Sequence, residues 1–380
     1  MILDGFSEPP DVPDLVPLRR RVREFLATAL ADRGAADLAH GWAAVDPDFS
    51  RALGAQGWIG MVWPPELGGA GAGTLERHAV IEELLAAGAP VAAHWFADRQ
   101  SGAMLLRHAR PHWRDRLLPR MAAGEVYFCI GMSEPGAGSD LAAIRTRARP
   151  VDGGWRVSGT KIWTSFAHHA HYMIALVRTG DGERQAGLSQ LLIDLSSSGV
   201  TVRPIEDHAG ERHFAEVFLD EVFVQDDMLL GREGEGWAQV NAELALERSG
   251  PERYLSSHRL IEELAAALHP EAPDGMRALL GGWVAELWCL RRMSLSVAAI
   301  LAEGGDPMLE AAIVKDQGAR FEQSLPRALQ SAWDDNAIRD PEGRVSAVMD
   351  YLLAACPAFS LRGGTREVLR GIIARGLGLR

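Results

Sequence analysis

Residues 128–165 read FCIGMSEPGAGSDLAAIRTRARPVDGGWRVSGTKIWTS. The first half, Met132 to Asp140, sets Ser133, Glu134, Pro135, Gly136, Gly138 and Ser139 in one short turn where neither helix nor strand can continue. Small side chains there let an anion or a flat ring approach the backbone, while outward N–H groups and the hydroxyls of Ser133 and Ser139 supply hydrogen bonds. The second half, Gly154 to Ser165, carries Trp155, Val157 and Ile162 around the Ser158-Gly159 break and closes on Trp163-Thr164-Ser165. It reads as a strand delivering an indole and two hydroxyls to one place.

Taken alone, Gly136-Ala137-Gly138 is only a turn. It lacks the Gly-Lys-Ser/Thr ending of a triphosphate loop and the strand-then-helix spacing of a dinucleotide fingerprint. The pair SEPGAGSD and GTKIWTS, at this distance, resembles the acyl-CoA dehydrogenase family. The resemblance implies FAD as cofactor. It places Ser133 on the pyrimidine side of the flavin, Met132, Gly138 and Ser139 along the ring, phosphate and pantetheine path, Trp163 against the ring, and Ser165 near its reactive nitrogen.

Outward from this stretch, 380 residues at 47% hydrophobic content suffice for two or three domains sharing a large core. A formal net charge of -12 argues against nucleic acid or an anionic membrane as partner. Cys129, Cys289 and Cys356 show no metal or redox spacing and read as buried small hydrophobes in a reducing compartment. The opening MILDGFSEPPDVPDL has no basic segment followed by an apolar run, and no apolar stretch approaches the ~20 residues of a membrane helix, which points to a cytoplasmic protein. Lysine occurs only at 161 and 315 while arginine is abundant, which reads as a GC-rich genome and not as function.

Helical spacing begins at Leu15–Leu30 and recurs over Glu76–Ala87 and Ser101–His108, interrupted by the breaker-rich loop from Trp58 to Gly69. From about Val126 the period is strand-like, over Trp155–Ser158, His171–Arg178, Leu188–Leu195, Val200–Pro204 and Glu216–Val224. Histidines 168, 169 and 171 lack a carboxylate or thiol at ligand spacing and read as turn residues, so no metal is expected. Helical period returns from Gly236 and continues over Asp274–Ala302, Pro307–Ser331, Arg344–Ala355 and Arg366–Arg375. The expected fold is α+β: an N-terminal helical domain (1–125), a middle antiparallel β-barrel domain (126–235) and a C-terminal helical bundle (236–380), which is also the family's architecture.

In the family, a glutamate takes the α-proton of an acyl thioester while the β-hydrogen leaves as hydride to the flavin. The resemblance allows that base two positions. The C-terminal loop reads Arg362-Gly363-Gly364-Thr365, so Gly363 cannot serve, whereas Leu246-Glu247-Arg248 offers Glu247. Pro251, four residues on, is expected to leave the residue-247 carbonyl without a helical partner and to bend the helix there. The alternative is that Glu247 pairs with Arg248 or an exposed Arg253 on a solvated face. Gly363 keeps a role implied by the family: its N–H, with a ribityl hydroxyl of FAD, bonds the thioester oxygen. Thr365 and Glu367 would lie near FAD.

Two family features are missing. An Arg-x-x-Phe-Gly segment reaching a neighbour's FAD should follow the first helix of the last domain, but Met276 to Gly281 reads MRALLG, and no Gln-x-x-Gly-Gly-Asn-Gly run follows. These losses resemble subunits of mixed dehydrogenases. The expected partners are thus an acyl-CoA substrate, an electron-transfer flavoprotein as acceptor, and like or paralogous subunits in an oligomer. A flavin monooxygenase or oxidase on the same fold, or a non-catalytic structural subunit, are the competing readings.

Overall fold

The strand-period sequence becomes eight strands among the residues described by a computed structural model, namely Phe6, 14–182 and 184–379, without the side chains of 242–247. They are β1 (Phe128–Gly131), β2 (Arg147–Val151), β3 (Gly154–Ser165), β4 (Tyr172–Arg178), β5 (Leu188–Asp194), β6 (Val200–Ile205), β7 (Phe214–Gln225) and β8 (Leu229–Leu230). The sheet order is β6-β7-β3-β2-β4-β5-β8, and β1 also pairs with β4. The β1–β4 and β2–β4 pairings are parallel, so the sheet is mixed where the sequence suggested an antiparallel barrel. The reason is local. The chain leaves β1 through the 132–140 turn and not through a hairpin, and the long excursion to β4 is the crossover a parallel neighbour requires. Strands β4 and β5 are buried on both faces, β4 as a near-continuous apolar run and β5 with Ser189 and Gln190 sunk among its leucines, whereas β6 and β7 alternate.

This sheet lies in a compact unit formed by Val45–Ala72 and Val91–Glu247. Its core joins Leu105, Leu117, Leu118 and Met121 of the helices Gly102–His108 and Pro111–Ala122 to Cys129, Met173, Ile174, Leu191 and Val217 of the strands. The breaker-rich loop buries Trp63 there. A Cβ on Gly102 would sit 2.0 Å from the Trp63 ring, and one on Gly60 (φ +67) 2.3 Å, so these positions must be glycine.

The second unit, formed by Met1–Ala44, Gly73–Pro90 and Arg248–Arg380, is helical, with Val16–Ala29, Thr74–Ala86, Asp274–Ala302, Met308–Ala332, Arg344–Ala355 and Arg366–Gly376 as its principal helices. Buried Glu82 accepts from Arg291 (2.7 Å), Tyr254 Oη (3.2 Å) and Arg19 (2.7 Å), fastening three helices and the Tyr254 segment at one carboxylate. Cys129 and Cys356 are buried as expected, but Cys289 is exposed on the helix Asp274–Ala302. No helix among the described residues is long and apolar enough to cross a membrane.

One ion pair stitches the two halves of the 128–165 stretch. Lys161 of β3, 0% exposed, donates to Glu134 Oε1 (2.9 Å) and to the Met132 carbonyl (3.1 Å). The buried Glu134 carboxylate also accepts from the backbone N–H groups of Arg145 (2.6 Å) and Thr146 (2.9 Å), and the Ile162 N–H donates to the Ser133 carbonyl (2.9 Å). Burial pushes the Lys161 ammonium down to about 8, against the pull of Glu134. Burial pushes the Glu134 carboxyl up, but Lys161 and the two N–H donors outweigh it and hold it below the ordinary carboxylate range. Removing one partner of such a pair strands a buried charge. Lys161→Met is therefore expected to cost about 3–5 kcal/mol in urea unfolding, with part recovered by adding Glu134→Gln. A single variant as stable as the parent would show that Glu134 carries no charge in the fold.

Each unit also buries a neutral histidine. His94 Nδ1 lies 2.8 Å from Ser50 Oγ, and His78 Nε2 lies 3.0 Å from Ser294 Oγ. Burial, the leading cause in each, pushes both imidazoles from 6.5 down to about 4. A depressed folded pKa means the unfolded chain binds the extra proton first. The stability held by these neutral rings is complete above pH 6.5 and is lost as pH falls from 6.5 toward 4, by up to about 3 kcal/mol per ring. Unfolding midpoints measured across this window should flatten in His94→Gln and in His78→Gln. An unchanged slope in both would place the acid sensitivity elsewhere.

Candidate active site

The stitched turn presents its outer side to solvent. Reciprocal bonds between Glu134 and Ala137, 2.9 and 3.0 Å, close it around Pro135-Gly136, and Gly138 and Ser139 stand exposed beyond. A Cβ on Gly138 would meet nothing within 4 Å. Half-buried Ser133 sits beside β3 through its carbonyl. Half-buried Met132 packs on a small apolar cluster with Ala137, Leu176, Leu188, Trp237 and Val240, which seats the helix Gly236–Glu247 against this same turn.

Trp163 stands apart from the strand that carries it. By the two-residue period it should share the inward face of Lys161, yet its side chain is 56% exposed. The β3–β7 register slips between Lys161 and Thr164, and Trp163 takes φ +59, the left-handed region that a bulky side chain rarely enters. The bulge turns the indole outward and returns Thr164 to the interior, where its Oγ1 is buried with no partner among the described residues. Phe214 props the indole edge-on at 5.9 Å, and Ser165 pairs with Phe214 through the backbone. Phe166 is likewise left-handed, φ +54. Strain of this kind persists where surrounding structure over-determines it, and it concentrates at binding sites. A propped, outward indole beside a backbone-rich turn fits a flat, heteroatom-rimmed ring such as a flavin.

In the helical unit the second group of expected residues comes together on one loop. Gly363 and Gly364 both have positive φ, +68 and +97. Arg248 Nε donates to the Gly363 carbonyl at 3.3 Å, which ties the residue after Glu247 to this loop. Thr365 caps the helix Arg366–Gly376 by accepting from the Val368 N–H, and the backbone of Glu367 together with the Thr365 hydroxyl holds the exposed Glu367 carboxyl below its ordinary range.

Two expectations are corrected here. The helix Gly236–Glu247 ends at Glu247, and Pro251 opens a separate 3-10 turn, Pro251–Arg253, so the chain breaks after the glutamate where a proline kink within one helix was expected. Gly250, extended at φ -69 and ψ 167, leads into that turn as its cap. Arg253 is buried, as is Arg248, so neither belongs to a solvated face. The Glu247 side chain itself lies outside the described residues. Among the histidines, His171 Nδ1 accepts from the Tyr127 N–H (3.0 Å), and no group of three His, Cys, Asp or Glu residues suited to a metal occurs among the described residues. What sequence reasoning missed is the Lys161–Glu134 pair and the left-handed backbone at Trp163. A lone lysine and an adjacent acid in a turn were the only visible signs of the first, and nothing marked the second.

Family models for the acyl-CoA dehydrogenase N-terminal domain and the acyl-CoA dehydrogenase middle domain match residues 13–125 and 129–222. Acyl-CoA dehydrogenase FadE34 of Mycobacterium tuberculosis is 33% identical over 368 residues, 95% of this chain and 50% of its own length. The chain thus spans about half of that relative. Acyl-CoA dehydrogenase IpdE1 of the same organism is 32% identical over 382 residues, 96% of this chain and 98% of its own. Among solved structures, a chain of the ChsE4-ChsE5 complex from Mycobacterium tuberculosis superposes with a TM-score of 0.82 at 26% identity, over 98% of this chain and 100% of that one. With 32% identity spanning 98% of IpdE1, this chain belongs to the acyl-CoA dehydrogenase family of flavin-dependent oxidoreductases.

Proposed function

We propose that the chain oxidises an acyl-CoA thioester to its trans-2-enoyl-CoA with FAD as cofactor and passes the electrons to an electron-transfer flavoprotein. The observation that carries this reading is the outward, left-handed Trp163 beside the stitched 132–140 turn. Trp163 would cover one edge of the ring, Ser133 and Ser165 would bond its rim, and Met132, Gly138 and Ser139 would line the path toward phosphate and pantetheine. Thr365 and Glu367 would lie near the cofactor from this subunit or a neighbour. Bound FAD supplies the hydride acceptor.

The proton is the chain's own task. Glu247 takes it from the α-carbon, and the Gly363 N–H steadies the negative charge that grows on the thioester oxygen as the proton leaves. Arg248 supports this assignment, because its bond to the Gly363 carbonyl links the residue following the proposed base to the loop of the proposed donor. Glu247→Gln keeps the shape and removes the base, so acyl-CoA should still bind while anaerobic flavin bleaching slows by about 10²–10⁴-fold. Bleaching at the parent's rate would move the base elsewhere. Oxygen consumption without enoyl product would favour an oxidase.

The altered adenosine clamp motivates a mixed assembly. The stretch Met276–Gly281 lies in the helix Asp274–Ala302 and keeps an arginine, Arg277, at the family's spacing but carries Leu280 where the family has phenylalanine, and one structural neighbour is a complex of two different chains. Light scattering and flavin analysis should find fewer FAD than chains when this chain is made alone, and more on adding a paralogue that keeps the clamp. A stable homo-oligomer with one FAD per chain and full activity would sink the mixed assembly.

A further inference from the structure

The segment from Cys356 to Arg366 runs along the helix Met308–Ala332, and four polar side chains of that helix end on it. Gln323 donates to the Cys356 carbonyl (2.9 Å), Lys315 to the Phe359 carbonyl (3.0 Å), Glu322 accepts from Arg362 (3.3 Å), and Asp316 accepts from Arg366 (2.7 Å). Lys315, Asp316 and Glu322 are buried. Sinking three charged groups in a helical core is costly unless each is bonded, and all three are bonded to this one segment. The Arg362 guanidinium is fixed further. It lies between the Trp42 and Phe359 rings, 4.3 and 4.5 Å from their centroids, and donates to Ser256 Oγ at 2.6 Å.

Between the two arginines stand Gly363 and Gly364, the pair with the greatest backbone freedom in the segment. The Gly363 N–H belongs to the peptide that begins at Arg362, and the Gly363 carbonyl belongs to the next peptide, which Arg248 holds. An oxyanion donor contributes only if its direction is set before the charge develops. We propose that Arg362 and Arg366 are positioning residues that hold the glycine pair in one backbone orientation, so that the loop works as a preset donor although its own residues are the least constrained in kind. The proposal rests on the reading of Gly363 as the thioester-oxygen donor.

The test compares the parent with Arg362→Ala, Arg362→Lys and Arg366→Gln, each in the assembly that holds flavin. Amide hydrogen exchange over 361–365 is read first, since it needs no turnover. Exchange in Arg362→Ala should quicken by about 10²-fold or more as the local clamp opens. Next, kcat should fall about 10²-fold with KM changed by less than about threefold. The α-proton of a bound 3-thiaacyl-CoA, followed by its long-wavelength band with the flavin, should become harder to remove by about ten- to hundred-fold. Lysine at 362 keeps the charge but cannot lie as a plane between two rings, so Arg362→Lys should fall between parent and alanine. Unchanged exchange, or unchanged kcat and α-proton acidity, in Arg362→Ala would overturn the proposal. If that variant does not fold, Arg362→Lys and Arg366→Gln decide it by the same readings. If no acyl-CoA bleaches even the parent, the proposed reaction fails, while slow parental exchange and fast variant exchange would still establish the clamp.

Discussion

A buried ammonium–carboxylate contact, Lys161 with Glu134, is the constraint on which the β-containing unit depends. A buried pair is weak evidence of stability by itself, because desolvation consumes much of its attraction. Its value here is geometric. Glu134 gathers two backbone N–H groups from the Arg145–Thr146 segment, Lys161 gathers the Met132 carbonyl, and the pair thereby sets three separate stretches of chain at one point. With Lys161 held inward, the strand can present Trp163 to solvent only by breaking its alternation. The bulge and the left-handed residue follow from that requirement.

Most helices and strands were legible because their apolar spacing is determined by the faces they bury. Val16–Ala29, Asp274–Ala302 and β4 through β7 fall close to where the periods put them. Strand β2 was not legible, since Arg147–Val151 is mostly exposed and carries a proline. Parallel pairing was not legible either, because it depends on where a crossover returns and not on the composition of a strand. The site was legible as a motif and illegible as geometry. Hydroxyls, glycines and an indole can be read from SEPGAGSD and GTKIWTS, but a tryptophan at positive φ has no spelling.

Buried charge was the other blind spot. Asp316, Glu322 and Arg253 look like the polar face of amphipathic helices, and only tertiary packing shows that they are internal. In the helical unit these groups stand in for apolar contacts around backbone that must keep an uncommon conformation. A methyl group cannot direct a carbonyl, whereas an arginine or lysine can.

The chain's two lysines share one further property. Lys161 is 0% and Lys315 1% exposed, and each donates to a main-chain carbonyl within its own unit. The positive charge of the surface is therefore carried by guanidinium and not by ammonium. A thioester of coenzyme A is an acyl donor toward free amines as well as a candidate substrate, and guanidinium groups, protonated at all ordinary pH, are poor acceptors. No ε-amino nucleophile faces solvent on this protein. Its arginine-rich surface accordingly offers no lysine amine to stray acylation by the very class of molecule it is proposed to handle.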